Sequence, residues 1–227
     1  LSVPCYNGTM LKQDYYNDFF EIGQQKINFS FFELSLPDDD PVYTLKNVME
    51  FIADNKELLT LMETRRSIRK FEPDMVPKDV IDQIIKAGTY AATGMNKQSP
   101  IIIAVTNKEM RDKLSRLNAE IMGTKSDPFY GAPVVLIVLA DKNWVNRVYD
   151  GSLVMGNLML AAHSLGIGSC WIHRAKEEFE RPEGLEILKS LGIEGEYEGI
   201  GHCVLGYVKG NYPKTPPRKE NWVYYID

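Results

Sequence analysis

From Asn55 onward the apolar positions recur at regular spacing. Asn55 caps a helix that carries Leu58, Leu59 and Met62 on one side and ends near Thr64. A second helix starts at Pro77, a favoured first-turn residue, and sets Val80, Ile81, Ile84, Ile85 and Gly88 along one stripe. Met110, Leu114, Leu117 and Ile121 mark a third. Three short runs rich in β-branched residues, 101–105, 134–139 and 203–208, have the make-up of strands. The segment 150–165 is apolar almost all round, which a helix tolerates only when it is buried on nearly every side, in a core or against another subunit. Its small residues Gly151, Gly156, Ala161 and Ala162 permit close helix packing. Helices and strands in this mixture predict an α+β (α/β sandwich) fold, with helices covering a sheet.

The first 50 residues read differently. An irregular stretch holding Tyr15, Tyr16, Phe19, Phe20, Phe31 and Phe32 leads into Leu36-Pro37-Asp38-Asp39-Asp40-Pro41, a turn-rich cluster that marks a boundary. The chain therefore divides into an N-terminal extension, residues 1–50, and a main domain, residues 55–227. Within residues 10–50, SLPDDDPVYTLKNVMEF resembles the opening of some insertion-sequence transposases, which implies a fused fragment with no part in catalysis. The other reading is an extension that packs its aromatics on the main domain. Asp38 to Asp40 and the scarcity of cations argue against DNA binding by this segment.

Composition narrows the function classes. A net charge of -5 and a pI near 5.4 disfavour nucleic acid or an anionic membrane as the main partner. Cys5, Cys170 and Cys203 are far apart and form no C-x-x-C pair, so neither a disulfide framework nor a zinc site is expected, and a reducing cytoplasm fits best. No apolar run reaches the ~18 residues that span a bilayer, and no signal-peptide pattern opens the chain. The sequons at Asn7 and Asn28 are therefore expected to carry no glycan.

Three segments hold chemistry-bearing residues. In Arg65-Arg66-Ser67-Ile68-Arg69, an extended backbone would project Arg65, Ser67 and Arg69 to one side, two cations flanking a hydroxyl, as a phosphate cradle requires. A solvated basic turn is the competing reading of that segment alone. Residues 91–100 are dense in small and amide side chains, suited to close approach to a planar ring. Pro216-Pro217-Arg218-Lys219 presents cations from a stiff backbone, or is simply a charged tail. Cys170 and Cys203 lie in apolar runs and read as buried thiols, while His163 and His202 read as core histidines rather than metal ligands. Ser169 lacks the G-x-S-x-G context of a hydrolase nucleophile, and neither a dinucleotide G-x-G-x-x-G nor a P-loop is present.

RRSIRKF, ATGMNKQ and LGIGSCWI, together with DPFYGAPVVLIV and the closing P-R-K, occur in the order and spacing of one family. Over residues 55–227 the chain resembles the FMN-dependent nitroreductases. That resemblance implies a central, mostly antiparallel sheet flanked by helices, and an intertwined homodimer whose C-terminal extension lies on the partner. It implies FMN as cofactor and NADH or NADPH as electron donor. It also implies ping-pong reduction of flat acceptors such as nitroaromatics and quinones, with no catalytic side chain and no metal.

Carried over position by position, the resemblance puts Arg65 and Ser67 at the FMN phosphate, with Arg69 at the N1 and C2 carbonyl side of the ring. A fixed cation there stabilises the charge of the reduced flavin. Ala92, Thr93, Gly94 and Asn96 would reach the partner's flavin. Ser169, Cys170 and Trp171 lead to His173 and Arg174, where the family offers a backbone N–H to flavin N5; the side chain of His173 is read as structural rather than as a proton donor. Arg218 matches a phosphate contact, but Pro216 stands where relatives often have Lys, so either Lys219 or Arg66 supplies that charge or phosphate binding is weaker. A reductive dehalogenase of the iodotyrosine deiodinase kind, a flavin-fragmenting enzyme on the same scaffold and a non-catalytic FMN-binding redox sensor remain as alternatives.

Overall fold

The computed structural model describes residues 19–22, 25–28 and 58–226. Contacts divide the chain into two units at Leu58 and Leu59. In the first, β1 (Phe19–Ile22) and β2 (Gln25–Asn28) pair antiparallel, with Phe19 opposite Asn28. The remaining expectations for the N-terminal 50 residues, and the cap at Asn55, fall outside the described residues.

Residues 58–64 are helical (α1), and from Leu59 on the chain belongs to the second unit. After α1 come α2 (Lys78–Thr89), β3 (Pro100–Val105), α3 (Lys108–Met122), β4 (Val134–Asp141) and α4 (Arg147–Ser164). The unit continues with β5 (Gly168–Ile172), α5 (Ala175–Phe179), α6 (Pro182–Ser190) and β6 (Tyr197–Gly206). The sheet runs β3-β4-β6-β5, and every neighbouring pair is antiparallel.

Strand β4 explains the layering. Val134 to Ala140 are fully buried, and because side chains alternate across a strand they divide between two cores. Val135, Ile137 and Leu139 pack with Leu114 of α3, Phe179 of α5 and Ile187 of α6. Val134, Leu136, Val138 and Ala140 pack with Ile81 and Ile84 of α2 and Val154, Met155 and Leu158 of α4. The result is a sheet between two helical layers, as the sequence pattern predicts. Asn107 caps α3 through a hydrogen bond accepted from the Met110 N–H at 2.9 Å, and left-handed Gly123 (φ 72°) closes it.

Several elements depart from the sequence reading. Strand β6 begins at Tyr197, well before Cys203, and ends at Gly206, so His202 lies inside it; Val208 forms only an isolated bridge to Phe71. Glycines hide its first half, and close approach explains them: a Cβ at Gly199 would lie 2.2 Å from the Ala175 carbonyl oxygen, and one at Gly201 would lie 2.4 Å from the Trp171 indole nitrogen. Strand β5 and helices α5 and α6 were not anticipated. The long apolar helix starts at Arg147 and within this chain buries one face, through Asp150, Gly151, Val154, Met155, Leu158 and Ala162. On its other side Leu153 is 50% exposed, and on α1 the expected inner residues Leu59 and Met62 are 58% and 50% exposed.

Candidate functional site

The RRSIR segment lies along the edge of the sheet beside β5. Ile68 donates its N–H to the Ser169 carbonyl at 2.9 Å, and Ser67 and Ser169 form a parallel bridge. Ile68 is buried in the core, whereas Arg65 and Ser67 are half-buried and Arg69 is exposed, the alternation of an extended strand. Nη1 of Arg65 is enclosed and has no hydrogen-bond partner among the described residues. All three predicted side chains act on Cys170: burial pushes its thiol up, against opposing effects of Arg69, the Ser67 hydroxyl and Arg65. Burial, reinforced by Cys170, pushes the Cys203 thiol up still further, as a core thiol requires.

Arg66 has a different task. Its guanidinium donates to the Arg65 and Glu63 carbonyls at the end of α1 and to Thr215, while its backbone N–H donates to the Tyr212 hydroxyl at 3.0 Å. The C-terminal segment is thereby held against the RRSIR turn. Arg218, three residues beyond Thr215, is exposed and donates to its own Pro216 carbonyl at 3.0 Å. Exposed Lys219 lies over the Trp222 ring, 5.1 Å from its centroid. His163 joins the Thr64 hydroxyl at 3.0 Å and the Tyr212 hydroxyl at 3.2 Å. Burial first, then Arg65 and Arg66, lower its pKa. It is hydrogen-bonded as expected, but half-buried beside the site rather than in the core.

The loop carrying Ala92, Thr93, Gly94 and Asn96 is held elsewhere. Buried Asp150, in the first turn of α4, accepts from Gly94 N–H at 2.9 Å and from Trp144 Nε1–H at 2.8 Å. A Cβ at Gly94 would meet the end of the Asn146 side chain, so a larger residue there would displace that amide from the turn. Met95, Asn96 and Gln98 all have positive φ, and Met95 is 83% exposed. Since His163, near the other end of α4, meets the RRSIR turn, the loop and the arginines lie about 20 Å apart along that helix. One chain therefore does not bring its own loop to its own arginines.

At the far end of β5, His173 is exposed and Arg174 adopts a left-handed conformation, φ 76° and ψ 10°. A cleft of about 200 Å³ opens here, lined by Val148, Ser152, Trp171, His173, Arg174 and Lys176, among others. Ser169 and Cys170 are buried in β5, on the path from the RRSIR turn to this cleft. Sequence reasoning missed the polar residues behind these elements: Asp150 under the loop, and Asn118 and Glu178 under the end of β5. Among the described residues no group of His, Cys, Asp and Glu is arranged to hold a metal ion, and no helix is long and apolar enough to cross a membrane.

The family model described as "Nitroreductase family" matches residues 62–207, which take in the RRSIR turn, the ATGMNKQ loop and the whole sheet. The chain belongs to the nitroreductase family. Among its relatives, a candidate NADH dehydrogenase/NAD(P)H nitroreductase of Methanothermobacter thermautotrophicus is 33% identical over 142 residues, 60% of this chain and 70% of that protein. A nitroreductase of Bacteroides fragilis, solved with bound FMN, superposes with a TM-score of 0.69 at 28% identity, over 75% of this chain and 99% of the other. Iodotyrosine deiodinase of Danio rerio is 28% identical over 74 residues, 33% of this chain and 25% of that protein. For this nitroreductase-family chain, the residues at the sheet edge fit a phosphorylated flavin: an enclosed guanidinium nitrogen lacking a partner and an adjacent hydroxyl are donors suited to an anionic, hydroxyl-rich ligand.

Proposed function

We propose that this protein is an FMN-dependent oxidoreductase that takes electrons from NADH or NADPH and delivers them to flat, electron-poor acceptors such as nitroaromatics and quinones. The observation that carries the reading is the unpartnered, enclosed Nη1 of Arg65 beside Ser67, on a strand edge that leads to the His173–Arg174 turn. FMN, when bound, supplies the hydride acceptor and donor. Arg65 and Ser67 hold its phosphate end. Arg69 supplies fixed positive charge where reduction adds negative charge, and a preorganised cation needs no reorientation at the moment of reaction. Trp171 and the His173–Arg174 backbone border the cleft at the other end. Because Arg66 is committed to Glu63, Arg65 and Thr215, the additional phosphate charge comes from Arg218 or Lys219 of the exposed tail.

The working unit is a homodimer. A cleft of about 200 Å³ is smaller than the roughly 300–1,000 Å³ typical of small-molecule sites, and a second subunit completes it. The Ala92–Asn96 loop, held away from its own arginines, is the element that reaches the partner's site. The uncovered apolar side of α4, with Leu153, supplies the interface. Reductive dehalogenation is not the preferred reading: the sequence likeness to iodotyrosine deiodinase spans 74 residues, and a solved iodotyrosine deiodinase, 22% identical over 75% of this chain, shares the fold alone.

The test is a purification. The protein is expected to be yellow with bound flavin, to run at about twice 25.8 kDa, to bleach anaerobically with NADH or NADPH and to recolour with menadione. A colourless protein that refuses added FMN refutes the assignment, and a yellow one that never bleaches is a binder rather than an enzyme.

A further inference from the structure

Between α3, α5 and β6 lies a buried polar chain that the proposed function leaves unused. Asn118 is fully buried, and its Nδ2 donates to the His173 carbonyl at 2.9 Å and to Oε1 of Glu178. Its Oδ1 accepts from Nε of Arg174 at 2.9 Å. Glu178, also fully buried, accepts through Oε2 from Nε2 of His202 at 3.0 Å, and the Phe129 ring lies 5.2 Å from the His202 ring. So much buried polarity is costly unless nearly every group is paired, and a linked network fixes the geometry of whatever it holds.

What it holds is one peptide unit. Asn118 grips the His173 carbonyl from one side and the Arg174 side chain from the other, across a residue in the left-handed region that a side-chain-bearing residue rarely adopts. In a trans peptide the carbonyl and N–H point in opposite directions. With the carbonyl drawn towards α3, the Arg174 N–H points away from it, to the side where His173, Trp171 and Ser152 border the cleft. That N–H has no backbone acceptor among the described residues.

We propose that Asn118 and Glu178 are positioning residues of the reaction: by clamping the His173–Arg174 peptide they aim its N–H into the cleft, where it meets the bound cofactor. His202 anchors Glu178 from β6, so the clamp is tied to the sheet. The proposal rests on the functional reading above for what fills the cleft, but the clamp itself does not depend on it.

The experiment compares wild type with Asn118→Leu, which keeps the branched shape and removes every hydrogen bond, and with Arg174→Met, which removes only the donor to Asn118 Oδ1 from a half-buried residue. The first measurement, the ¹⁵N order parameter of the Arg174 amide, needs no flavin. It is expected near 0.85 in wild type and below about 0.6 in Asn118→Leu, with Arg174→Met between them. The second measurement, on the flavin-loaded protein, is the single-turnover rate of bleaching at saturating NADH. It is expected to fall about tenfold in Asn118→Leu, the worth of one well-aligned hydrogen bond, while FMN affinity changes less than about threefold because Arg65 and Ser67 are untouched. A merely structural role would lower stability without separating these two quantities. An amide that stays rigid in both variants overturns the clamp, and an unchanged bleaching rate with a loosened amide overturns its part in the reaction. If Asn118→Leu does not fold, Arg174→Met decides on the same two readings. If wild type takes up no FMN, the functional reading fails and the order parameters alone decide the clamp.

Discussion

Replacing Arg65 by Met should move two quantities in opposite directions. Nη1 of Arg65 is enclosed with no acceptor among the described residues, and a buried donor left unpaired costs about 1–3 kcal/mol. Methionine occupies a similar volume without that donor and relieves Cys170 and His163 of a nearby cation. The ligand-free variant is therefore expected to be as stable as wild type or more stable by about 1 kcal/mol. With FMN present the same change removes a charge-assisted hydrogen bond to a phosphate, worth about 1.5–3 kcal/mol, so affinity should fall roughly 10- to 150-fold at 1.4 kcal/mol per decade. Urea titration of both proteins stripped of flavin gives the first quantity, and quenching of flavin fluorescence gives the second. A variant that is less stable without FMN and binds it as tightly as wild type would refute the placement of Arg65 in the cradle.

Asp150→Asn leaves one good acceptor for two donors, Gly94 N–H and Trp144 Nε1–H, and turns an amide donor towards the other; a loss of about 1–3 kcal/mol in urea unfolding is expected, with turnover falling further because the loop is released. Leu153→Glu places a charge on the uncovered side of α4, where it is harmless to the folded chain but costs several kcal/mol if a second subunit covers it, so light scattering should report monomers. Asp127 accepts from Ser115, Arg111 and the Phe129 and Gly131 amides, and although burial opposes them its pKa is lowered from 3.8. Because the folded value is the lower one, its stabilisation is present above pH 3.8 and is lost as pH falls through the folded pKa; Asp127→Asn should flatten the acid limb of the urea midpoint against pH.

The layers of the fold were legible because apolar residues alternating between two faces have few alternatives. Val134 to Leu139 has the β-branched make-up of a strand and the stripes of α2 and α3 show their inner faces, while the structure sets that strand inside the sheet with a core on each side. Strand β6 was half hidden because Gly199 and Gly201 imitate a loop, when each is a place where the Ala175 backbone or the Trp171 ring comes too close for a Cβ. The candidate site was legible in its residues, since RRSIR, the small-residue loop and GSCWI carry the family resemblance. The arrangement of those residues was not. Arg66 reads as a spare cation and is bound to the ends of α1 and the tail, and His163 reads as core and lies half-buried against Tyr212.

By itself the sequence determined the α+β class, three strand-forming runs, the inner faces of α2 and α3 and the residue types able to cradle a phosphate, because each depends on local periodicity or on side-chain chemistry. Only the tertiary structure decided that Ser67 runs beside Ser169, that Asp150 tethers the loop away from its own arginines, and that Asn118 and Glu178 stand behind the His173–Arg174 turn. Those contacts join residues remote in the chain. A buried Asn or Glu satisfied by a distant partner looks, in a linear pattern, like any polar residue on the outer side of a helix.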